Sequence, residues 1–202
     1  MARLLITASA DVAFELAPKI TALGHQPVFL PLLEIVPVEY EAPSAPASIL
    51  ITSRYALAAA SHYRGTPLYV VGQKLAQHAT EQDHQIARTA QTIHQLRPHL
   101  ADDTLYLRGK DVSHILNLPS VICYQANLLP LPKQLPTHDA VILLSARVAA
   151  HLPAIESSIF CLSERIAQAL ITPNKNVLIA YDPTHESLLE TIKCWKSPQE
   201  TL

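Results

Sequence analysis

The chain has 202 residues, 49 % hydrophobic and 16 % charged, enough apolar material for one full core or two small ones. A formal net charge of -2, from 15 basic and 17 acidic side chains, argues against a nucleic-acid partner, and the arginines are scattered rather than clustered. Three cysteines with no C-x-x-C spacing fit a reduced, cytoplasmic setting, and no apolar run approaches the ~20 residues that span a bilayer.

The opening "MARLLITASADVAFEL" places Asp11 and Glu15 directly behind a short apolar run. It therefore reads as strand, turn and helix rather than as a secretory leader. Residues 3–7 form a strand, and Val12, Leu16, Ile20 and Leu23 recur at helical spacing until Gly24. "PVFLPLLEIVPV" (27–38) is extended, and "EYEAPSAPAS" (39–48) is the clearest linker. Then "ILIT" (49–52) reads as a strand, "RYALAAASHY" as a helix, "PLYVVG" as a strand and "QKLAQHATE" as a helix. "TAQTIHQLRPHL" (89–100) reads as helical, "TLYLRG" (104–109) as a strand and "DVSHILN" as a short helix. "VICYQANLLPLPKQLP" (121–136) runs extended into a second proline-rich crossing. Beyond it come "AVILL", "ARVAAHL", "IFCL", "ERIAQAL", "NVLIAY" and "HESLLETIKCWK", strands and helices in alternation.

Short apolar strands alternating with helices predict an α/β fold of two similar three-layer domains with mainly parallel sheets, joined by a two-stranded linker. The expected boundaries are 1–36 with 137–202 for a discontinuous first domain, 46–122 for an inserted second one, and linkers at 37–45 and 123–136. Weak internal repeats support this division. "LYVVGQKLAQHA" (68–79) lies over "IFCLSERIAQAL" (159–170), and "ILITS" (49–53) over "VILLS" (141–145). "TAQTI" (89–93) falls against "THESLLETI" (184–192), and "LYLRGKDVSHIL" (105–116) over "LITASADVAFEL" (5–16). The last element of the middle segment thus matches the first of the chain, the order of a circularly rearranged copy.

Strands repeatedly end in small polar residues before a helix: Thr7 to Ser9, Thr52 and Ser53, Gly72 and Gln73, Arg108 and Gly109, Ser145 and Ser163. The carboxyl ends of parallel strands form ligand crevices, and helix N-termini there favour anions. Each hydroxyl taken singly reads as an N-cap; together with Arg54, Thr89 and Thr184 they read as the rim of an anion-binding cleft. Arg54 has two readings, a carboxylate partner or a solvated side chain. Tyr124 also has two: a hydroxyl reaching the cleft, or a strand-edge ring with its hydroxyl in water. Nucleotide-binding, hydrolase and zinc-protease signatures are absent, and no metal site or cofactor is expected. The histidines, His62 and His84 among them, fall in stretches that read as exposed.

"LGHQPVFLPLLEI" (23–35), "ILITSRYAL", "LYVVG", "LYLRG", "VICYQA" and "DPTHESLL" (182–189), in this order and with both proline-rich crossings, resemble the uroporphyrinogen-III synthase family across essentially the whole chain. The resemblance implies a cytoplasmic, cofactor-free monomer acting in tetrapyrrole and heme biosynthesis. Such an enzyme closes the linear tetrapyrrole polycarboxylate hydroxymethylbilane into uroporphyrinogen III, loses water and inverts ring D through a spiro intermediate. It further implies that Tyr124 helps the hydroxyl leave, that Thr52, Ser53, Ser145 and Ser163 line the substrate site, and that hydroxymethylbilane synthase is a transient handover partner. Neither nucleic acid nor a membrane is an expected partner. The chain departs from the family pattern at Ala8 and Ser9, where Arg-Pro is common, at Ala126 in place of Thr, and at Ser163 in place of Gly. The competing reading is a non-catalytic two-lobed module that closes on an anionic small molecule.

Overall fold

In the computed structural model, which describes residues 1–112, 115–172 and 175–196, the apolar runs become strands with helices between them. The first half of the chain forms β1 (Arg3–Ile6), α1 (Ala10–Ala22), β2 (Gln26–Phe29), β3 (Leu33–Pro37), β4 (Ile49–Ile51), α2 (Leu57–Ala60), β5 (Leu68–Val71), α3 (Gln73–Glu81), β6 (Ile86–Ala90) and α4 (Ile93–Leu96). There follow β7 (Leu105–Gly109), β8 (Ser120–Leu128), β9 (Ala140–Leu143), α5 (Ala146–Ala149), β10 (Ser158–Cys161), α6 (Glu164–Gln168), β11 (Val177–Ile179) and α7 (His185–Lys193). The strands β4, β9 and β10 are buried at every position, as strands covered by helices on both faces must be.

The chain divides into two units, Met1–Glu34 with the tail from Asn127, and Ile35–Ala126. In the head-and-tail unit, five strands run in the order β11-β10-β9-β1-β2, paired in parallel. Alternation along the strands sends side chains to opposite faces. Leu4, Ile6, Ile142 and Phe160 pack under Leu16 and Ile20 of α1 and Leu188 and Ile192 of α7. Leu5, Val141, Leu143 and Ile159 face the other way, onto Val148 of α5 and Ile166 of α6.

The middle unit is built on a six-stranded sheet of order β3-β8-β7-β4-β5-β6. Its β8-β7-β4-β5-β6 portion is parallel. Ile49, Ile51, Val70 and Leu107 pack against α2 and α3, while Leu50 and Tyr106 face Leu96 of α4. The edge strand β3 runs antiparallel to β8: the Leu129 N–H donates to the Leu32 carbonyl and the Val38 N–H to the Cys123 carbonyl, each at 3.0 Å. The two crossings between units are therefore hydrogen-bonded to each other.

Setting β3 aside, β8-β7-β4-β5-β6 has the same succession as β2-β1-β9-β10-β11. The repeats read from the sequence pair β4 with β9, β5 with β10 and β7 with β1, which are equivalent positions in these two orders. The units thus share one topology with the chain entering it at different points.

Local structure differs from the sequence reading in three places. "RYALAAASHY" is not one helix but a 3₁₀ turn (Arg54–Ala56), the short α2, and a second 3₁₀ turn (Ser61–Tyr63). The Ser53 hydroxyl accepts from the N–H of Tyr55, two residues on, and this tightens the first turn. "TAQTI" starts as strand β6, and the helix begins only after Thr92, whose side chain and that of Gln95 form a reciprocal capping box. The stretch "DVSHILN" lies partly outside the described residues, and its described residues are not helical.

Candidate active site

The sequence around Ile49–Tyr55 ends a buried strand and immediately turns. β4 stops at Ile51, and Thr52 and Ser53 emerge at the carboxyl edge of the middle sheet. The Thr52 hydroxyl is hydrogen-bonded to the Tyr106 hydroxyl of neighbouring β7 at 2.9 Å. Thr52 therefore ties two strands together and does not cap a helix. Ser53 accepts the 3.4 Å bond from the Tyr55 N–H and lies close enough to the Tyr124 phenol to favour its ionised form. The Arg54 guanidinium lies 5.3 Å from the centre of the Tyr55 ring, within cation–π range. The Tyr55 and Tyr124 rings are 5.6 Å apart and tilted by 56°.

Tyr124 is delivered by the register of β8 on β7. Gly109 stands opposite Tyr124, next to an irregularity in the pairing between Arg108 and Gly109. With no side chain at Gly109, the phenol ring lies directly over its backbone. Burial pushes the Tyr124 pKa up, opposed in part by Ser53, while the nearby Tyr106, Cys123 and Tyr55 groups push it further up. At neutral pH this phenol holds its proton and is a donor.

Tyr124 lines two hollows of the middle unit. One, of about 460 Å³, is polar at its rim, with Thr52, Ser53, Tyr106, His94 and Asp111 around it. The other, of about 700 Å³, is mainly apolar, with Tyr55, Ala58, Ala59 and Cys123 on its walls. At its edge the Tyr40 hydroxyl is hydrogen-bonded to Nδ1 of His62 at 3.2 Å. Both volumes fall in the range of ligand pockets. Burial raises the Cys123 thiol to about 11, so it stays protonated and is not a nucleophile at neutral pH.

The remaining candidates are placed as follows. Gly72 stands at the N-cap of α3 with φ of 95°, and Gln73 and Thr89 line a separate shallow groove along α3 rather than the hollow beside Tyr124. Thr89 is a strand residue, so its expected place at a helix start is corrected. The Arg108 guanidinium donates to the Ser120 hydroxyl at 3.2 Å and to the carbonyls of Gly109 and Lys110, all on or next to its own strand pair. In the head-and-tail unit Ser145 and Ser163 occupy the N-cap positions of α5 and α6 without a side-chain cap bond. Thr184 does cap, accepting from the Ser187 N–H at 3.2 Å. Of the departing positions, Ala8 is buried and Ser9 precedes α1 without capping it. Ala126 continues β8 two residues beyond Tyr124.

Tyr55 and Tyr106 were not among the sequence candidates. Their signals were present: Tyr55 completes "TSRY", and Tyr106 alternates with buried leucines in "LYLRG". Among the described residues no group of His, Cys, Asp or Glu side chains could hold a metal ion.

No protein-family model matches the sequence, and no curated protein matches it. Solved structures do match in fold. A uroporphyrinogen-III synthetase from Helicobacter pylori superposes with a TM-score of 0.69 at 17 % identity, over 95 % of this chain and 98 % of that one. A mutant uroporphyrinogen III synthase from Thermus thermophilus, an extremely thermophilic bacterium, gives a TM-score of 0.51 at 14 % identity, over 96 % of each chain. The chain has the fold of these proteins, from end to end of their length.

Proposed function

We propose that the chain is a uroporphyrinogen-III synthase that cyclises hydroxymethylbilane with loss of water and inversion of ring D. The observation that carries the reading is Tyr124: a partly buried, protonated phenol at the carboxyl edge of a parallel sheet, close to Ser53 and beside two hollows. The shared fold supports it. So does the sparseness of catalytic motifs, because this reaction asks little of the protein in bond-making chemistry.

The hydroxymethyl group of the substrate sits on an electron-rich pyrrole. As the carbon–oxygen bond breaks, the ring nitrogen lends electron density to the carbon, and the departing oxygen needs a proton. The Tyr124 phenol, protonated and lining both hollows, is the group placed to give that proton. Water departs, ring D attacks through its substituted carbon to give the spiro intermediate, and rearrangement with loss of a ring proton yields the inverted macrocycle. That proton returns the tyrosine to its starting form, so the cycle needs no cofactor.

Positioning carries the rest of the rate, by holding the chain so that ring D closes in its inverted orientation. Arg54 and the rim hydroxyls of Thr52 and Ser53 are the proposed carboxylate contacts of the middle unit. Ser145, Ser163 and Thr184 are the proposed contacts of the other unit. Incubation with freshly made hydroxymethylbilane, followed by oxidation and separation of isomers, tests the reading: isomer III supports it, and isomer I at the spontaneous rate refutes it.

A further inference from the structure

We infer that Gly109 is a positioning residue for the Tyr124 phenol, a role that rests on the synthase reading for its catalytic consequence but on packing alone for its geometry. The chain has four glycines. Three of them, Gly24, Gly65 and Gly72, have φ between 82° and 95° and open space where a Cβ would stand. Their identity answers a backbone requirement. Gly109 is the reverse case, with no left-handed φ and no free space. A Cβ there would lie 2.7 Å from Cζ, 2.8 Å from Cε2 and 2.9 Å from Oη of Tyr124.

Contacts this short are not tolerated between carbon atoms, whose optimum is about 3.5–4.0 Å. The obstructed group is a rigid ring, with the Tyr55 ring beside it at 5.6 Å between centroids. It cannot give way at its tip; the whole ring must swing. Any side chain at Gly109 therefore moves the phenol oxygen away from Ser53 and from the polar hollow, while leaving the hydroxyl chemically intact. The glycine at the end of "LYLRG" sets the place of the proton donor without touching substrate.

The test compares Gly109→Ala, Tyr124→Phe and the double variant for kcat and KM on hydroxymethylbilane, with a spectroscopic titration of the tyrosines. Gly109→Ala is expected to lower kcat by about 100-fold, the low end of a positioned general acid's contribution, with KM little changed. The double variant is expected to be no slower than the slower single one, and the raised phenol pKa of wild type to fall towards the ordinary tyrosine value in Gly109→Ala. Wild-type turnover with an unchanged titration would overturn the role, as would losses that multiply in the double variant. If the wild-type protein does not cyclise hydroxymethylbilane, the synthase reading fails and the titration alone decides: a shifted phenol upholds the positioning and an unshifted one refutes it. If Gly109→Ala does not fold, Gly109→Ala with Tyr124→Ala is expected to restore a cooperative melt, and failure to restore it overturns the inference.

Discussion

Replacing Tyr124 with phenylalanine removes a single oxygen and keeps the ring that lies over Gly109 and beside Tyr55. The stability cost is small, about 1 kcal/mol or less, because the ring contacts stay and only one hydroxyl of a partly buried residue is lost. The catalytic cost is larger: losing a positioned acid that acts only as the carbon–oxygen bond breaks should slow the reaction about 100-fold. At ~1.36 kcal/mol per tenfold, that is ~2.7 kcal/mol of transition-state stabilisation. The loss should fall on kcat, since in the proposed reaction the phenol gives up its proton only as the bond breaks. Isomer-resolved turnover of fresh hydroxymethylbilane measures it, with a thermal melt of the same sample as control. The pH profile adds a sign. Burial raises the Tyr124 pKa above 10.0, so the acid form persists through neutral pH and its contribution is lost only as pH rises through the elevated value. That alkaline limb should vanish in Tyr124→Phe. Wild-type turnover in a folded variant would refute the assignment.

Thr52→Val strands the largely buried Tyr106 hydroxyl and should lower stability by about 1–3 kcal/mol, read from a denaturant midpoint. Gly72→Ala meets no neighbour within 4 Å but is held at φ of 95°, so a loss of about 1–3 kcal/mol would be backbone strain alone; an unchanged midpoint would contradict it. His84, expected to be exposed, is buried, with 7 % of its surface exposed and Nε2 unpartnered. Burial, aided by Arg64 and opposed by Asp83, lowers its pKa below 6.5. Its stabilising contribution is therefore present above 6.5 and is lost as pH falls through the lowered value. His84→Leu should flatten that acid-side decline in chemical-denaturation midpoints. Thr184→Ala removes the cap of α7 and should cost about 1 kcal/mol in the same assay.

The strands were legible because fully buried parallel strands are short continuous apolar runs, and "ILI", "AVIL" and "SIFC" could hardly be anything else. Strand order within each sheet was not legible, but the repeats placed β7 over β1, and these two strands take equivalent places in the two orders. Short helices were less so. The alanines of "RYALAAASHY" favour helix, yet the local bond from Tyr55 to Ser53 draws its start into a 3₁₀ turn. Thr89 was misread because the true cap signal, Thr92 with Gln95, lies three residues further on. Tyr124 and Ser53 were legible as candidates, but their meeting depends on a register shift in β8 and on the absent side chain of Gly109, which only the packed sheet reveals.

The most direct measurement is the isomer ratio formed from hydroxymethylbilane supplied by its synthase in the presence of this protein. Closure without the protein gives isomer I. Isomer III is expected in large excess, formed in proportion to protein concentration and reduced about 100-fold in rate by Tyr124→Phe. Isomer I alone, at the rate seen without protein, would contradict it, and binding of hydroxymethylbilane without isomer change would mark the chain as a binding module instead.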